Sequence, residues 1–215
     1  MDAGLDQDRE AALALRPVSR ETVERLDVFA GELTRWQTVK NLVGRGTLDQ
    51  IWTRHIADSL QLLDLADGQR WADLGSGAGF PGLVLGIAAL DERPGMHVDL
   101  IESNARKCAF LRHIARQTGA AVTIHHARLE DILGGLPETN VVTARALAPL
   151  TTLIGWSEQL LKTGAVGLFP KGRDAAAELT EACKSWKFDA DVVPSLTDSD
   201  ARIVRIRSLH GQSSQ

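Results

Sequence analysis

The stretch Trp71-Ala72-Asp73-Leu74-Gly75-Ser76-Gly77-Ala78-Gly79-Phe80-Pro81-Gly82 decides the fold. It reads as a short buried strand that breaks into a glycine loop and then enters a helix. Glycines at 75, 77 and 79 remove Cβ atoms where the backbone must turn sharply, and they let a ligand touch the main chain. Pro81 suits the first turn of a helix, where its missing N–H leaves no bond unmade. The helix from Leu83 to Leu90 then aims its N-terminal amides at whatever sits over the loop. This order of elements predicts a nucleotide-type cofactor site.

Gly77-Ala78-Gly79-Phe80-Pro81-Gly82 is a literal G-x-G-x-x-G, which on its own is a weak dinucleotide signal. The next strand strengthens it. His97-Val98-Asp99-Leu100-Ile101-Glu102 ends in an acid, and Ser103-Asn104 then start a helix. A carboxylate at a strand end accepts two hydrogen bonds from a ribose diol, for NAD and for S-adenosylmethionine alike. Loop and acid together predict an adenosine ribose and leave the reaction open.

Composition bounds the rest. A chain of 215 residues, 44% hydrophobic, suffices for one α/β domain and a small extension. It has no run of about 18 apolar residues that would span a membrane. Its acidic N-terminus, Met1-Asp2-Ala3-Gly4-Leu5-Asp6, does not read as a signal peptide. Two cysteines, Cys108 and Cys183, without C-x-x-C spacing argue against a zinc site or disulfide framework and fit a reducing cytoplasm. Cys108 is expected in a helix, as a small core residue. A net charge of −4 is mildly unfavourable for a nucleic-acid binder. A local basic face can still act within a Debye length.

Residues 1–66 read as a helical extension packed on a core domain at 67–210, with a disordered tail at 211–215. Ser19 is an N-cap candidate, although Thr22 stands where a capping box needs glutamate or glutamine. Val23, Leu26, Phe29, Ala30 and Leu33 share a helical face. A second amphipathic helix is expected from Leu48 to Leu65, carrying Ile51, Trp52, Ile56, Leu60 and Leu63, with a short loop at 40–46 between the two. From residue 70 the period changes. Strands at 70–74, 97–102, 121–126, 140–145, 164–169 and 201–208 alternate with helices at 82–90, 104–118, 149–161 and 173–184. That alternation predicts a doubly wound, mostly parallel sheet covered on both faces. The last strand mixes arginine with apolar residues and reads as an edge strand.

Ligands in such sheets lie beyond the carboxyl ends of the strands. Those ends carry Glu102, then Arg128 and Glu130, then Arg145, then Lys171 and Arg173. His125 and His126 are adjacent, so on a strand they point to opposite faces and are unsuited to one metal ion; no metal is expected.

The glycine stretch strongly resembles the small-subunit ribosomal RNA methyltransferase G family, historically called glucose-inhibited division protein B. Further matches are Trp36 through Asn41-Leu42, Arg54-His55-Ile56-Ala57-Asp58-Ser59, Glu102-Ser103-Asn104 with Lys107, Arg145-Ala146-Leu147-Ala148 and Lys171-Gly172. The resemblance runs from about residue 20 to residue 207 and keeps the motifs in order. It implies a Rossmann-like class I S-adenosylmethionine-dependent enzyme that methylates N7 of a guanine in 16S rRNA, in a loop near the decoding centre. It also implies cofactor contacts at Gly75, Phe80, Leu129, Glu130 and Arg145, to which the loop reading adds Gly77, Gly79 and Glu102. The family more usually carries aspartate at the position of Glu102. Ala144 and Pro149 also depart from its more usual pattern.

Arg128, Arg145 and Lys171 are the catalytic candidates, cations to hold RNA phosphate or guanine O6. Arg54, His55, Lys107, Lys171 and Arg173 are the RNA-binding candidates. Arg35, Lys40 and Arg45 could extend that surface, and Trp36 and Trp52 could stack on a base, Trp52 being better placed for the core. Guanine N7 carries a lone pair and no proton, so its methylation needs alignment and no general base. The chain accordingly lacks an Asn/Asp-Pro-Pro-aromatic motif and a Pro-Cys nucleophile. The expected partner is 16S rRNA or the 30S particle, and the expected state a monomer. Two alternatives stay open: a nicotinamide-dependent oxidoreductase and a non-catalytic ribosome-binding module. Absence of tyrosine leaves the first without a Tyr-x-x-x-Lys donor pair.

Overall fold

The computed structural model describes residues 3–40 and 48–212. The 40–46 loop, apart from its first residue, lies outside them, as do Arg45 and residues 213–215. Helices α1 (Ala3–Leu15) and α2 (Arg20–Lys40) open the chain. Ser19 caps α2, its Oγ accepting the Thr22 amide at 3.0 Å. Then come a 3₁₀ turn (Leu48–Gln50), a π turn (Trp52–Ala57), an α turn, α3 (Asp58–Leu60), and a second 3₁₀ turn (Gln61–Asp64). The apolar positions expected of one regular helix are all buried, but the backbone winds through three pitches to bury them.

The core alternates β1 (Arg70–Leu74), α4 (Gly82–Glu92), β2 (His97–Glu102), α5 (Ala105–Thr118), β3 (Val122–His126), α6 (Leu129–Ile132) and β4 (Val141–Thr143). There follow α7 (Leu150–Trp156), α8 (Glu158–Lys162), β5 (Val166–Lys171), α9 (Ala175–Ser185), β6 (Trp186–Pro194) and β7 (Arg202–Gln212). The strands form one sheet of order β3-β2-β1-β4-β5-β7-β6. β1 to β5 pair in parallel, whereas β7 runs antiparallel to both β5 and β6.

Two expectations are corrected. β7 is not the edge strand; β6, absent from the sequence reading, covers it. β6 pairs with register shifts at Lys187/Phe188 and Asp189/Ala190, and such bulges break the alternation that marks a strand. Two of the three β7 arginines pair with β6: Arg205 donates to Asp191 Oδ2 at 2.6 Å, and Arg207 lies 3.5 Å from the same oxygen. β7 also runs to Gln212, two residues into the expected tail.

Alternation along the strands divides the core. Trp71, Val98, Leu100, Val141, Leu168 and Ile203 face α2, α4 and α5, while Ala72, Leu74, Ile101, Val142, Phe169 and Val204 face α7, α8 and α9. The N-terminal helices belong to the first cluster. Phe29 of α2 packs on Phe80 of the glycine loop at 5.1 Å and on Phe110 of α5 at 6.2 Å. They thus form a wall of the loop that carries the site. Trp52 is buried as expected, and Trp36 packs on Phe110 and His113.

Candidate active site

The strand order reverses between β1 and β4, which opens a crevice at their carboxyl ends. β1 enters it with Gly75 at φ +69° and Gly77 at φ +58°, conformations costly for residues with a Cβ. A Cβ on Gly75 would strike Leu147 Cδ1 at 2.6 Å, whereas one on Gly77 would meet only the Gly75 carbonyl, at 3.7 Å. Ser76 N donates to the Ile101 carbonyl at 3.0 Å, tying the loop to β2. Glu102 is buried and bridges loop and helix: Oε2 accepts the Gly77 amide at 2.9 Å and Oε1 the Asn104 amide at 2.7 Å. Each oxygen retains a second lone pair for a ligand hydroxyl. Asn104 in turn caps α5 through the amides of Arg106 and Lys107. Pro81 precedes α4 by one residue, and its peptide bond with Phe80 is cis.

Asp73 lies beneath the loop, fully buried, with Oδ2 accepting the Gly82 amide at 3.1 Å. Burial pushes its carboxyl up from 3.8 to about 6, against the Gly82 hydrogen bond. A carboxyl whose folded pKa is raised costs stability as pH climbs from its unfolded pKa to its folded one. The native state is therefore expected to lose roughly 3 kcal/mol between about pH 4 and pH 6 through this group. Denaturant titrations across that range should show the loss in the wild type and its absence in Asp73→Asn; parallel curves would contradict it.

Arg145 follows β4. Its guanidinium donates to the Arg54 carbonyl at 3.1 Å, to Asp58 Oδ2 at 3.0 Å and to His55 Nδ1 at 2.8 Å. It lies 5.1 Å from the Phe80 ring centroid, and the His55 ring stacks on the same phenyl at 4.8 Å. Arg54 and His55 come from the π turn, whose first amides at Trp52 and Thr53 are capped by Asp8 of α1, at 2.8 and 3.2 Å. Burial first, and then Arg145 and Arg54, drive the His55 pKa down to about 3. The ring is therefore neutral. Because Nδ1 accepts from Arg145, Nε2 carries the proton; it is buried without a partner among the described residues.

Two cavities meet at Arg145. The smaller, about 610 Å³, is lined by Gly75, Gly77, Phe80, Glu102, Leu129 and Glu130, with Lys107 and Arg128 also on its wall. The larger, about 1210 Å³, includes Arg54, Asp58, Lys171 and Arg202. Arg145, Ala146 and Leu147 border both, and Ala146 sits at φ +53°, a backbone strain of the kind found at functional sites.

The expected cofactor residues thus converge on one cavity, except Gly79, which stands behind it, where a Cβ would meet Leu83 and Leu111. The three catalytic candidates do not converge: Arg128 lines the smaller cavity, Lys171 the larger, and Arg145 the seam. Lys171 is ion-paired with Glu178 at 2.8 Å and donates to the Ala148 carbonyl, bracing the 145–149 segment. Among the RNA candidates, Arg54 is exposed on the larger cavity, His55 is packed behind Arg145, and Arg173 is exposed beyond both. The sequence reading assigned no role to Asp58, Asp73 or Leu147. Only Asp58 had a signal, its place four residues after Arg54 in the Arg-His…Asp-Ser run. His125 pairs with Asp99 and His126 with the Ser103 carbonyl, on opposite faces as alternation requires.

A sheet of this order, with a glycine loop after β1 and an acid closing β2, defines the class I S-adenosylmethionine-dependent methyltransferases. Within that class, the chain belongs to the rRNA small subunit methyltransferase G family, which it matches over residues 22–205. It is 61% identical to the ribosomal RNA small subunit methyltransferase G of Methylobacterium nodulans, over 95% of this chain and 97% of that protein. The namesake from Parvibaculum lavamentivorans is 47% identical, over 97% of this chain and 92% of its own length. Solved structures share the fold at low identity. A mutant of MtNAS in complex with S-adenosylmethionine matches 95% of this chain and 77% of its own, with a TM-score of 0.56 at 16% identity. A fibrillarin/Nop5p complex matches 71% and 80%, with a TM-score of 0.53 at 12% identity.

Proposed function

We propose that this protein transfers a methyl group from S-adenosylmethionine to N7 of a guanine in 16S rRNA, in a loop near the decoding centre. The smaller cavity suits that cofactor. Its volume of about 610 Å³ lies in the usual range for small-molecule sites. Gly77 keeps its floor open, and the Glu102 carboxylate at the end of β2 would accept the ribose hydroxyls. Phe80, Leu129 and Glu130 would flank the rest. Bound there, the cofactor supplies a methyl group on a positively charged sulfur.

The observation that carries the N7 assignment is the engagement of the side chains at the seam. His55 is neutral and its Nδ1 accepts from Arg145, and Asp58 is ion-paired with the same guanidinium at 3.0 Å. Neither is placed to take a proton from an incoming nucleophile. Guanine N7 has no proton to lose, so the remaining task is alignment. Arg145, held from three sides, would present its fork to the purine or its phosphate from the side of the larger cavity. Arg54 and Lys171 on that cavity, Lys107 and Arg128 on the wall of the smaller one, and Arg173 beyond both, would contact the RNA. No helix among the described residues is long and apolar enough to cross a membrane, and we place the enzyme in the cytoplasm as a metal-free monomer.

Labelled methyl transfer to 16S rRNA and to 30S particles tests the assignment, with positions mapped by cleavage specific for N7-methylated guanine. Label with cleavage at one loop guanine is the expected result. Label without cleavage would discard N7, and absence of label on either substrate, with cofactor bound, would favour a non-catalytic module.

A further inference from the structure

Helix α5 breaks the local rules of helix electrostatics. Its residues include Arg106, Lys107, Arg112 and Arg116 and no acid. Arg106 and Lys107 stand in its first turn, where the helix dipole disfavours cations. Arg112 and Arg116 are four residues apart, a like-charge pair that destabilises an isolated helix. All three arginines are exposed. The opposite face is occupied: Phe110, Leu111 and Ile114 are buried, and His113 is bonded to Glu32 of α2 at 3.0 Å.

Many surface cations elsewhere are neutralised, although Arg54, Arg128, Arg173 and Lys187 are exposed and, among the described residues, have no carboxylate partner. Arg9 meets Asp27, Arg25 meets Asp91, Arg93 meets Asp67 and Lys184 meets Glu181. Among the described residues, none of the four α5 cations is paired with a carboxylate. They stand together on a chain whose net charge is −4. Lys107 lines the cofactor cavity, and Arg128 stands on its wall too. From Arg106 to Arg116 the exposed arginines span about 15 Å along the helix axis, whereas Lys107, nine residues before Arg116, points to the opposite side, toward the cavity. Violations of this kind, uncompensated within the chain, mark a surface whose counter-charge comes from outside.

We propose that the exposed face of α5, through Arg106, Arg112 and Arg116, docks the phosphate backbone of the substrate RNA and leads it to the mouth of the cofactor cavity at Lys107 and Arg128. The inference rests on the rRNA-methyltransferase reading and adds to it a binding surface remote from the seam at Arg145. Such a surface contributes affinity and salt dependence and leaves the chemical step alone.

The test compares the double variant Arg112→Gln/Arg116→Gln with Arg20→Gln/Lys184→Gln, which removes the same net charge from other exposed sites. Affinity for protein-free 16S rRNA is measured from roughly 50 to 200 mM salt, alongside cofactor affinity and methyl transfer. The α5 variant should bind RNA about tenfold or more weakly, with a salt slope shallower by about 2. Its KM for RNA should rise while kcat at saturating RNA and cofactor affinity stay at wild-type values. The control variant should behave as wild type. Equal RNA affinity and slope in all three proteins would overturn the proposal. Loss of transfer to the 30S particle with unchanged affinity for protein-free rRNA would also overturn it, assigning the face to a ribosomal protein. A wild-type protein that neither binds nor methylates 16S rRNA would sink the functional reading itself and this surface with it.

Discussion

Arg145→Ala is expected to lower methyl transfer to rRNA by about a hundredfold or more, the loss that follows from misplacing a reacting group by an ångström. It should also cost about 2 kcal/mol of stability. Its guanidinium is shared among the Arg54 carbonyl, Asp58 and His55. Truncation therefore leaves Asp58 Oδ2, His55 Nδ1 and the Arg54 carbonyl without the donor they share. Arg145→Lys keeps the charge but not the planar fork, so it should recover stability better than rate. Single-turnover transfer and denaturant unfolding, read on the same preparations, separate the two effects. Transfer at the wild-type rate in Arg145→Ala would remove this residue from the mechanism.

Gly82→Ala is expected to cause the largest loss of stability. A Cβ there would stand 2.6 Å from Asp73 Cβ and collide with Leu100 Cδ2, in a site where both neighbours are buried. Asp73 cannot swing aside without giving up the Gly82 amide it accepts. Overpacking of this kind costs roughly 3 kcal/mol, which for a chain of this length lowers the melting temperature by roughly 6–12 °C. Gly31→Ala is the matching control. Nothing lies within 4 Å of a Cβ at that position in α2, so it should gain roughly 0.5–1 kcal/mol through helix propensity. Equal melting temperatures for the two variants would show that the loop tolerates a side chain where the packing says it does not.

What was legible in the sequence had a local cause. β1 and β2 announce themselves because an apolar run ends in glycine or in an acid, and the observed strands, 70–74 and 97–102, have the expected bounds. The Leu48–Leu65 segment shows the limit of periodicity. Burial of Ile51, Trp52, Ile56, Leu60 and Leu63 is readable from spacing, but a π turn buries nearly the same positions as an α turn and leaves no mark in the pattern. β6 was hidden by its bulges. At the site, the glycines and Glu102 were legible because each acts through its own backbone or chain terminus of a strand. The fixing of Arg145 by Asp58 and His55, and of Lys171 by Glu178, was not. Those pairs are tertiary, and nothing in the spacing of residues 55, 58 and 145 brings them together.

The cap that Asp8 places on the π turn has a consequence for how the enzyme tolerates change. Asp8 lies ahead of residue 22, where the match to the family begins, yet it holds the amides of Trp52 and Thr53 and, through that turn, the carbonyl and imidazole that grip Arg145. The reach of the active site therefore extends into a stretch that family membership does not define. A relative with no acid at this point must satisfy two buried-side amides by other means or let the turn rewind into an ordinary helix. Residue-by-residue transfer of the seam from one member to another is sound only where that remote anchor travels with it.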